Sequence, residues 1–196
     1  MTDYRPDAEL LACARGGDDR AFAAIVERYE GAVAATVTGM LGAGDDADDV
    51  GQETFIRFHR SLDHFRGDSS LKTYLVHIAM NLSLNALRRR RRSVLRFISR
   101  DETPIDSAEP SVGPDGSVDA EELRLFVRRA VSQLSEKHRA VVVLRMFDDC
   151  STRDTATILG VPEGTVLSRL SRAMKELEAR LAPYVASGAA VPETIR

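Results

Sequence analysis

The chain has 196 residues, 43% hydrophobic and 29% charged, a composition typical of a folded globular protein rather than a disordered one. With 27 Lys+Arg against 30 Asp+Glu its formal net charge is -3, an average that argues against a nucleic-acid binder. No apolar run approaches the ~18–20 residues of a bilayer span, and residues 1–7 hold no apolar signal core. A cytoplasmic chain without membrane insertion is expected.

The average hides a pattern. Residues 1–53 carry 4 basic and 12 acidic side chains, and residues 54–100 carry 11 basic and 2 acidic. Residues 101–123 carry 8 acids and no base, and residues 124–196 carry 12 bases and 8 acids. Two basic segments set among acidic ones point to polyanion contact at particular places. Arg88 to Arg92 are consecutive, and five like charges in a row repel one another.

The periodicity is helical nearly throughout. A short helix over 7–14 carries Leu10 and Leu11, and Gly16-Gly17 end it. Asp18 is placed to cap a second helix whose apolar face is Phe22, Ile25, Val26, Tyr29, Val33 and Val37. Gly42 and Gly44 break it. Asp45 and Asp46 open a third helix, where acids suit the positive end of the dipole, with Ala47, Val50, Phe55, Phe58 and Leu62 inward. Residues 63–70 read as a loop, and Ser70 caps a fourth helix with Leu71, Tyr74, Leu75, Ile78, Leu82 and Ala86 on one face. Val94, Leu95, Phe97 and Ile98 extend that helix.

Between Thr103 and Ser117, prolines, glycines and acids predict a flexible, self-repelling linker. A smaller second domain follows. Leu123, Phe126, Val127, Ala130 and Leu134 mark one helix, and Ser135 caps the next, which runs through Val141, Leu144 and Met146. Ser151-Thr152-Arg153-Asp154 has the form of a capping box before a short helix ending at Leu159-Gly160. After Val161-Pro162 a last helix carries Val166, Leu170, Ala173, Leu177 and Leu181. The fold class is all-α: two small helical domains over 7–100 and 121–183, a flexible acidic linker over 101–120, and a tail over 184–196. Cys13 and Cys150 are expected to be reduced, buried thiols.

Two motifs carry chemistry. Ala156, Gly160 and Val166 have helix-turn-helix spacing: a small residue where the helices cross, a glycine at the turn, an apolar lock on the second helix. The outward face of that helix includes Thr165, Ser168, Arg169 and Arg172, hydroxyls and guanidiniums suited to base edges and phosphates in a major groove. In the first domain His77, Asn81, Asn85 and Arg88 form a polar stripe spaced four, four and three. Asn amides read base edges, which unpaired bases expose fully. Before the stripe, Phe65-Arg66-Gly67-Asp68-Ser69-Ser70 is a short polar loop suited to pocket an extruded base.

At these residues the chain resembles a known family. Residues 48–55, 65–71 and 78–81 are similar to domain 2 of extracytoplasmic-function (ECF) sigma factors, in the sigma-70 family, and 159–170 to their domain 4. The resemblance covers roughly residues 7–183. It implies an alternative sigma factor that binds the clamp helices and flap of RNA polymerase core, recognises and helps melt promoter DNA, and takes an anti-sigma factor as partner. It assigns Arg66, Gly67, Asp68, Ser69, Ser70, His77, Asn81, Asn85, Arg88 and Arg89 to the −10 element. Thr165, Leu167, Ser168, Arg169 and Arg172 fall to the −35 element, and Asp49, Gln52, Glu53 and Arg57 to polymerase. Leu167 departs from the family's usual Lys or Arg and suits a thymine methyl instead. Gly51 is smaller than the usual apolar residue on the polymerase face.

Two rival readings predict different behaviour. A helix-turn-helix repressor or activator would dimerise on a palindrome without polymerase, whereas the sigma reading expects a monomer. A metal-dependent nucleic-acid enzyme needs ligand spacing that His59, His64, His77 and His138 lack, so no catalytic residue, metal or cofactor is expected.

Overall fold

The computed structural model describes residues 5–98 and 120–186. Among these residues there is no strand. The helices are α1 (Asp7–Arg15), α2 (Asp19–Leu41), α3 (Asp45–Arg60), α4 (Leu71–Ile98), α5 (Ala120–Ser132), α6 (Glu136–Val142), α7 (Thr152–Leu159) and α8 (Glu163–Ala186). Most of the expected linker lies outside the described residues, as does the tail beyond 186. α8 runs to Ala186, three residues past the expected end of the second domain.

The caps lie where the sequence puts them. The Asp18 carboxylate accepts from the N–H groups of Arg20 at 2.9 Å and Ala21 at 3.2 Å, and the Ser70 hydroxyl accepts from Thr73 N–H at 3.0 Å. α3 begins with Asp45, Asp46 and Asp48 and ends with Arg57, His59 and Arg60, complementing its dipole at both ends. The first half of the molecule is a bundle of α2, α3 and α4, with α1 laid on α2. An ion pair of Arg28 with Asp7 at 2.6 Å, and a Tyr29 hydroxyl that donates to Asp7, fasten α1 there. Phe58 is fully buried at the centre, its ring stacked on Phe22 at 5.9 Å and edge-on to Tyr74 at 6.2 Å.

The second half packs α6 and α7 against α8, with α5 alongside. His138 Nδ1 meets a Glu176 carboxylate oxygen at 2.8 Å, joining α6 to α8. Two local details differ from the sequence reading. Leu62 is buried on a 3-10 turn (Leu62–His64) rather than at the end of α3. The helix from Ser135 widens after Val142 into a π-turn (Val143–Phe147). The extra residue per turn carries Val143 and Leu144 inward and leaves Met146 50% exposed. Cys150 is buried, and Cys13 is only half-buried, so the second of the two expected buried thiols is partly open.

The two halves share one continuous apolar core. α2 touches α5, α6 and the π-turn, and α4 touches α7. α2 therefore buries a second stripe, Thr36, Gly39 and Met40, beside the expected face of Ile25, Val33 and Val37. Thr36 and Gly39 carry too little apolar surface to register in a hydrophobic period.

Candidate nucleic-acid and partner interfaces

The 66–70 loop stands on a fixed base. Phe65 is buried, its ring 4.9 Å from that of Tyr74. At the end of α1, Arg15 Nε donates to the Leu62 carbonyl at 3.0 Å, and its Nη2 donates to the Phe65 carbonyl. One guanidinium thus holds both ends of the turn that launches the loop. Beyond that base Arg66, Gly67, Asp68 and Ser70 are exposed and Ser69 is half-exposed, with Gly67 at a left-handed φ of 79°. Sequence reasoning missed Arg15, whose only signal is a lone base at a helix end far along the chain from the loop.

The stripe on α4 continues from the loop. His77 is half-buried, and that burial lowers its pKa and favours the neutral imidazole. Asn81, Asn85, Arg88 and Arg89 are exposed, and Arg88 Nη1 donates to Asn85 Oδ1 at 3.4 Å. The arginine run is not uniform in role. Arg90 Nε donates to Asp46 Oδ2 at 2.6 Å and its Nη1 to the Leu41 carbonyl at 3.4 Å, tying α4 to the α2–α3 turn.

The helix-turn-helix forms as expected. Gly160 turns the chain in the left-handed region (φ 61°), and Val161 N–H donates back to Ala156 C=O at 3.0 Å. Ser151 accepts from Asp154 N–H at 3.0 Å and donates to its carboxylate at 2.6 Å. Val141, Ala156 and Val166 lock the two helices together. On α8, Leu167, Ser168 and Arg172 are exposed, and Thr165 and Arg169 are half-buried. Ser168 spends its hydroxyl proton on the Thr165 carbonyl at 3.0 Å, so toward a ligand it is an acceptor. Leu167 is 56% exposed on the same surface, a free apolar tip among polar groups.

On α3, Asp49, Gln52 and Arg57 are exposed and Glu53 is half-buried, with Arg57 Nε paired to Glu53 at 2.8 Å. Ile56 stands out with them at 45% exposed. Residues 49, 52, 53 and 56 recur at helical spacing, so this face was legible in the sequence and Ile56 was overlooked. An apolar residue ringed by charge is the composition of a protein-binding patch.

The 66–70 loop and the start of α4 also face α7 across a cleft. Asp68, Ser69, Thr73, Tyr74 and His77 form one wall of a cleft of ≈ 530 Å³, and Ser151, Arg153, Asp154, Thr157 and Ile158 form the other. Among the described residues no cluster of His, Cys, Asp and Glu is arranged to hold a metal ion.

Residues 25–93 match the family model of Sigma-70 region 2, and residues 126–177 that of Sigma-70 region 4. The chain is 35% identical over 190 residues to the ECF RNA polymerase sigma-E factor of Salmonella typhimurium, covering 94% of this chain and 99% of that protein. The chain belongs to the ECF sigma factors. Its fold matches CnrH in complex with the cytosolic domain of CnrY, with TM-score 0.65, 27% identity and coverage of 90% of this chain and 97% of that one. It also matches the sigma factor RpoE of Bartonella quintana in complex with the anti-sigma factor NepR. That likeness has TM-score 0.67 and 27% identity, over 82% of this chain and 96% of the other. This ECF sigma factor is an alternative sigma factor for promoter-directed transcription initiation. Region 2 spans the α2–α4 bundle with the polar stripe and its loop, and region 4 spans α5 to α8 with the helix-turn-helix.

Proposed function

We propose that the chain is a two-point promoter reader that works without catalysing a reaction. In region 2 the 66–70 loop captures a flipped base of the −10 element. His77, Asn81 and Asn85 read exposed base edges, while Arg88 and Arg89 hold backbone phosphate. In region 4, Thr165, Ser168, Arg169 and Arg172 address the −35 element in the major groove, and Leu167 meets a thymine methyl. The observation that carries this reading is the polar surface from the loop to the stripe, with Arg66, Gly67, Asp68, Ser70, Asn81, Asn85, Arg88 and Arg89 exposed and Ser69 and His77 half-buried.

Asp49, Gln52, Glu53, Ile56 and Arg57 present an acidic patch with an apolar centre to the polymerase clamp helices, and region 4 meets the flap. Two modest DNA sites in one chain act as one stronger site once polymerase spaces them. The chain acts in the cytoplasm, where RNA polymerase, the target of its relatives, is found, and works as a monomer when free. An anti-sigma factor is a natural partner, because the Bartonella quintana sigma factor it resembles was solved bound to one. The domain bounds proposed are 7–100, 101–120 for the linker, and 121–183.

Asn81→Ala tests the reading. It is expected to impair promoter opening in reconstituted transcription and to leave core-polymerase binding intact. Unchanged opening removes Asn81 from the role.

A further inference from the structure

Leu167, Ser168, Ser171, Arg172 and Lys175 form the exposed edge of α8. Gly164 and Ser171 flank Leu167 on that edge, one helical turn before it and one after. The first has no side chain and open space about it, and the second has a short one. Leu167 is therefore the tallest group over the opening turns of the helix. It is 56% exposed and belongs to neither apolar cluster of the molecule. The next residue is fixed in a complementary sense. Ser168 Oγ donates its proton to the Thr165 carbonyl at 3.0 Å, which leaves only lone pairs facing outward.

In a major groove these two groups have few matches. An aliphatic tip gains from the C5-methyl group of thymine. Against a purine N7 or a cytosine amino group it would strip water from a polar edge and return no hydrogen bond. An acceptor with no proton to give pairs with an exocyclic amino group, N6 of adenine or N4 of cytosine, and is repelled by guanine O6 and thymine O4. We propose that Leu167 and Ser168 make α8 specific for a thymine at one position of its duplex site and for an amino-bearing base, adenine or cytosine, at the adjacent position. This deepens the assignment of α8 to −35 DNA and rests on it. Lys175, two turns beyond Ser168, is suited to backbone phosphate and takes no part in the choice.

Holoenzyme assembled from the full chain and core polymerase, bound to a duplex library randomised across the −35 region, tests the proposal. Selected sites are expected to carry thymine beside adenine or cytosine. Replacing that thymine by deoxyuridine, which removes only the methyl group, is expected to weaken binding about fourfold. Leu167→Ala should bind the thymine and deoxyuridine duplexes equally. Leu167→Arg should move the position to guanine, whose O6 and N7 suit a guanidinium. Ser168→Ala should lose the preference for the amino-bearing base, a loss on the order of tenfold, and keep the thymine. Lys175→Ala should weaken binding to all sequences alike, with a shallower salt dependence. Each altered side chain is exposed, so these substitutions leave the packing of α8 intact. Selected sites without the thymine, or a Leu167→Ala holoenzyme that still prefers thymine to deoxyuridine, overturn Leu167 as the reader. An unchanged preference in Ser168→Ala overturns the part given to the serine. In either case a −35 preference of another kind leaves α8 on DNA. No −35 preference at all, with Arg172→Ala binding as wild type does, removes α8 from DNA and the proposal with it.

Discussion

Arg15 illustrates how one side chain sets the shape of an exposed loop it does not belong to. Its guanidinium reaches the carbonyl of Leu62, which also accepts from Phe65 N–H at 3.4 Å, and the carbonyl of Phe65. A charged donor on a carbonyl contributes about 1.5–3 kcal/mol, so the base of the loop is firm while its tip stays open. Arg15→Ala is expected to slow promoter opening on the order of tenfold in a reconstituted assay, with polymerase affinity unchanged. Arg15→Lys, which keeps one donor, should recover part of the rate. Equal rates for wild type and Arg15→Ala would show that the loop holds its shape without it. Thr36 presents a different problem at the same scale. Its single hydroxyl proton faces both the Ala32 carbonyl at 3.0 Å and the Asp148 carboxyl at 2.9 Å. Thr36 is the donor in both contacts, so the proton is shared, and the bond to Asp148 favours its ionised carboxylate.

Among the elements, α4 divides its labour by face. Its apolar side fills the region 2 core, its polar stripe is open, and Arg90 anchors the segment after the stripe to Asp46. The five arginines therefore do not act as a single phosphate clamp. α3 holds a different imbalance. Gly51 lies in the helix interior, and a Cβ there would meet no neighbouring atom. Gly51→Ala is expected to stabilise the chain by about 1 kcal/mol, read as a higher midpoint in thermal unfolding. A lower midpoint would mean that the residue's smallness serves the fold itself. The π-turn after α6 is the element that shapes the interface. It rotates Val143 and Phe147 toward α2 and Met146 away, and its end presents the Asp148 carboxyl to Thr36.

For the whole molecule, the contact between the halves is coupled to protonation. Burial, the largest cause, holds the Asp148 carboxyl up at about 6 against an ordinary 3.8. The Thr36 hydrogen bond and the Lys72 charge pull it back down, and the neighbouring Asp149 charge adds to the rise. Separation of the halves returns the group to water and toward its ordinary value. The closed state then binds the proton more tightly, so this contribution to closure is complete below pH 3.8 and is lost as pH rises through about 6. A Cβ added at Gly39 would lie 2.8 Å from Val143 Cγ2, so Gly39→Ala brings open and closed forms closer in energy. In that chain, acidification from pH 7.5 to 5 is expected to shrink the radius of gyration. Adding Asp148→Asn should abolish the response. A response that persists with Asn at 148 would place the titration on another group.

The sequence by itself determined the helices, their caps and the helix-turn-helix, because each depends on residues within a turn or two: Asp18, Ser70, Ser151 and Gly160 act on their own neighbours. It also carried the stripe of His77, Asn81, Asn85 and Arg88, since spacing along a helix fixes which side chains share a face. Ile56 was within reach of the same rule. Arg15, Arg90 and the Gly39 contact were not, because their partners lie 47 residues away at Leu62, 44 at Asp46 and about a hundred at Val143. The net charge of -3 is the clearest case of this division. Chain order separates its acidic and basic blocks, but only the tertiary structure pairs Asp46 with Arg90 and sets region 4 across the loop. Long-range packing of a small, silent residue such as glycine leaves no periodic trace in the chain, and it is packing of this kind that brings the two halves together.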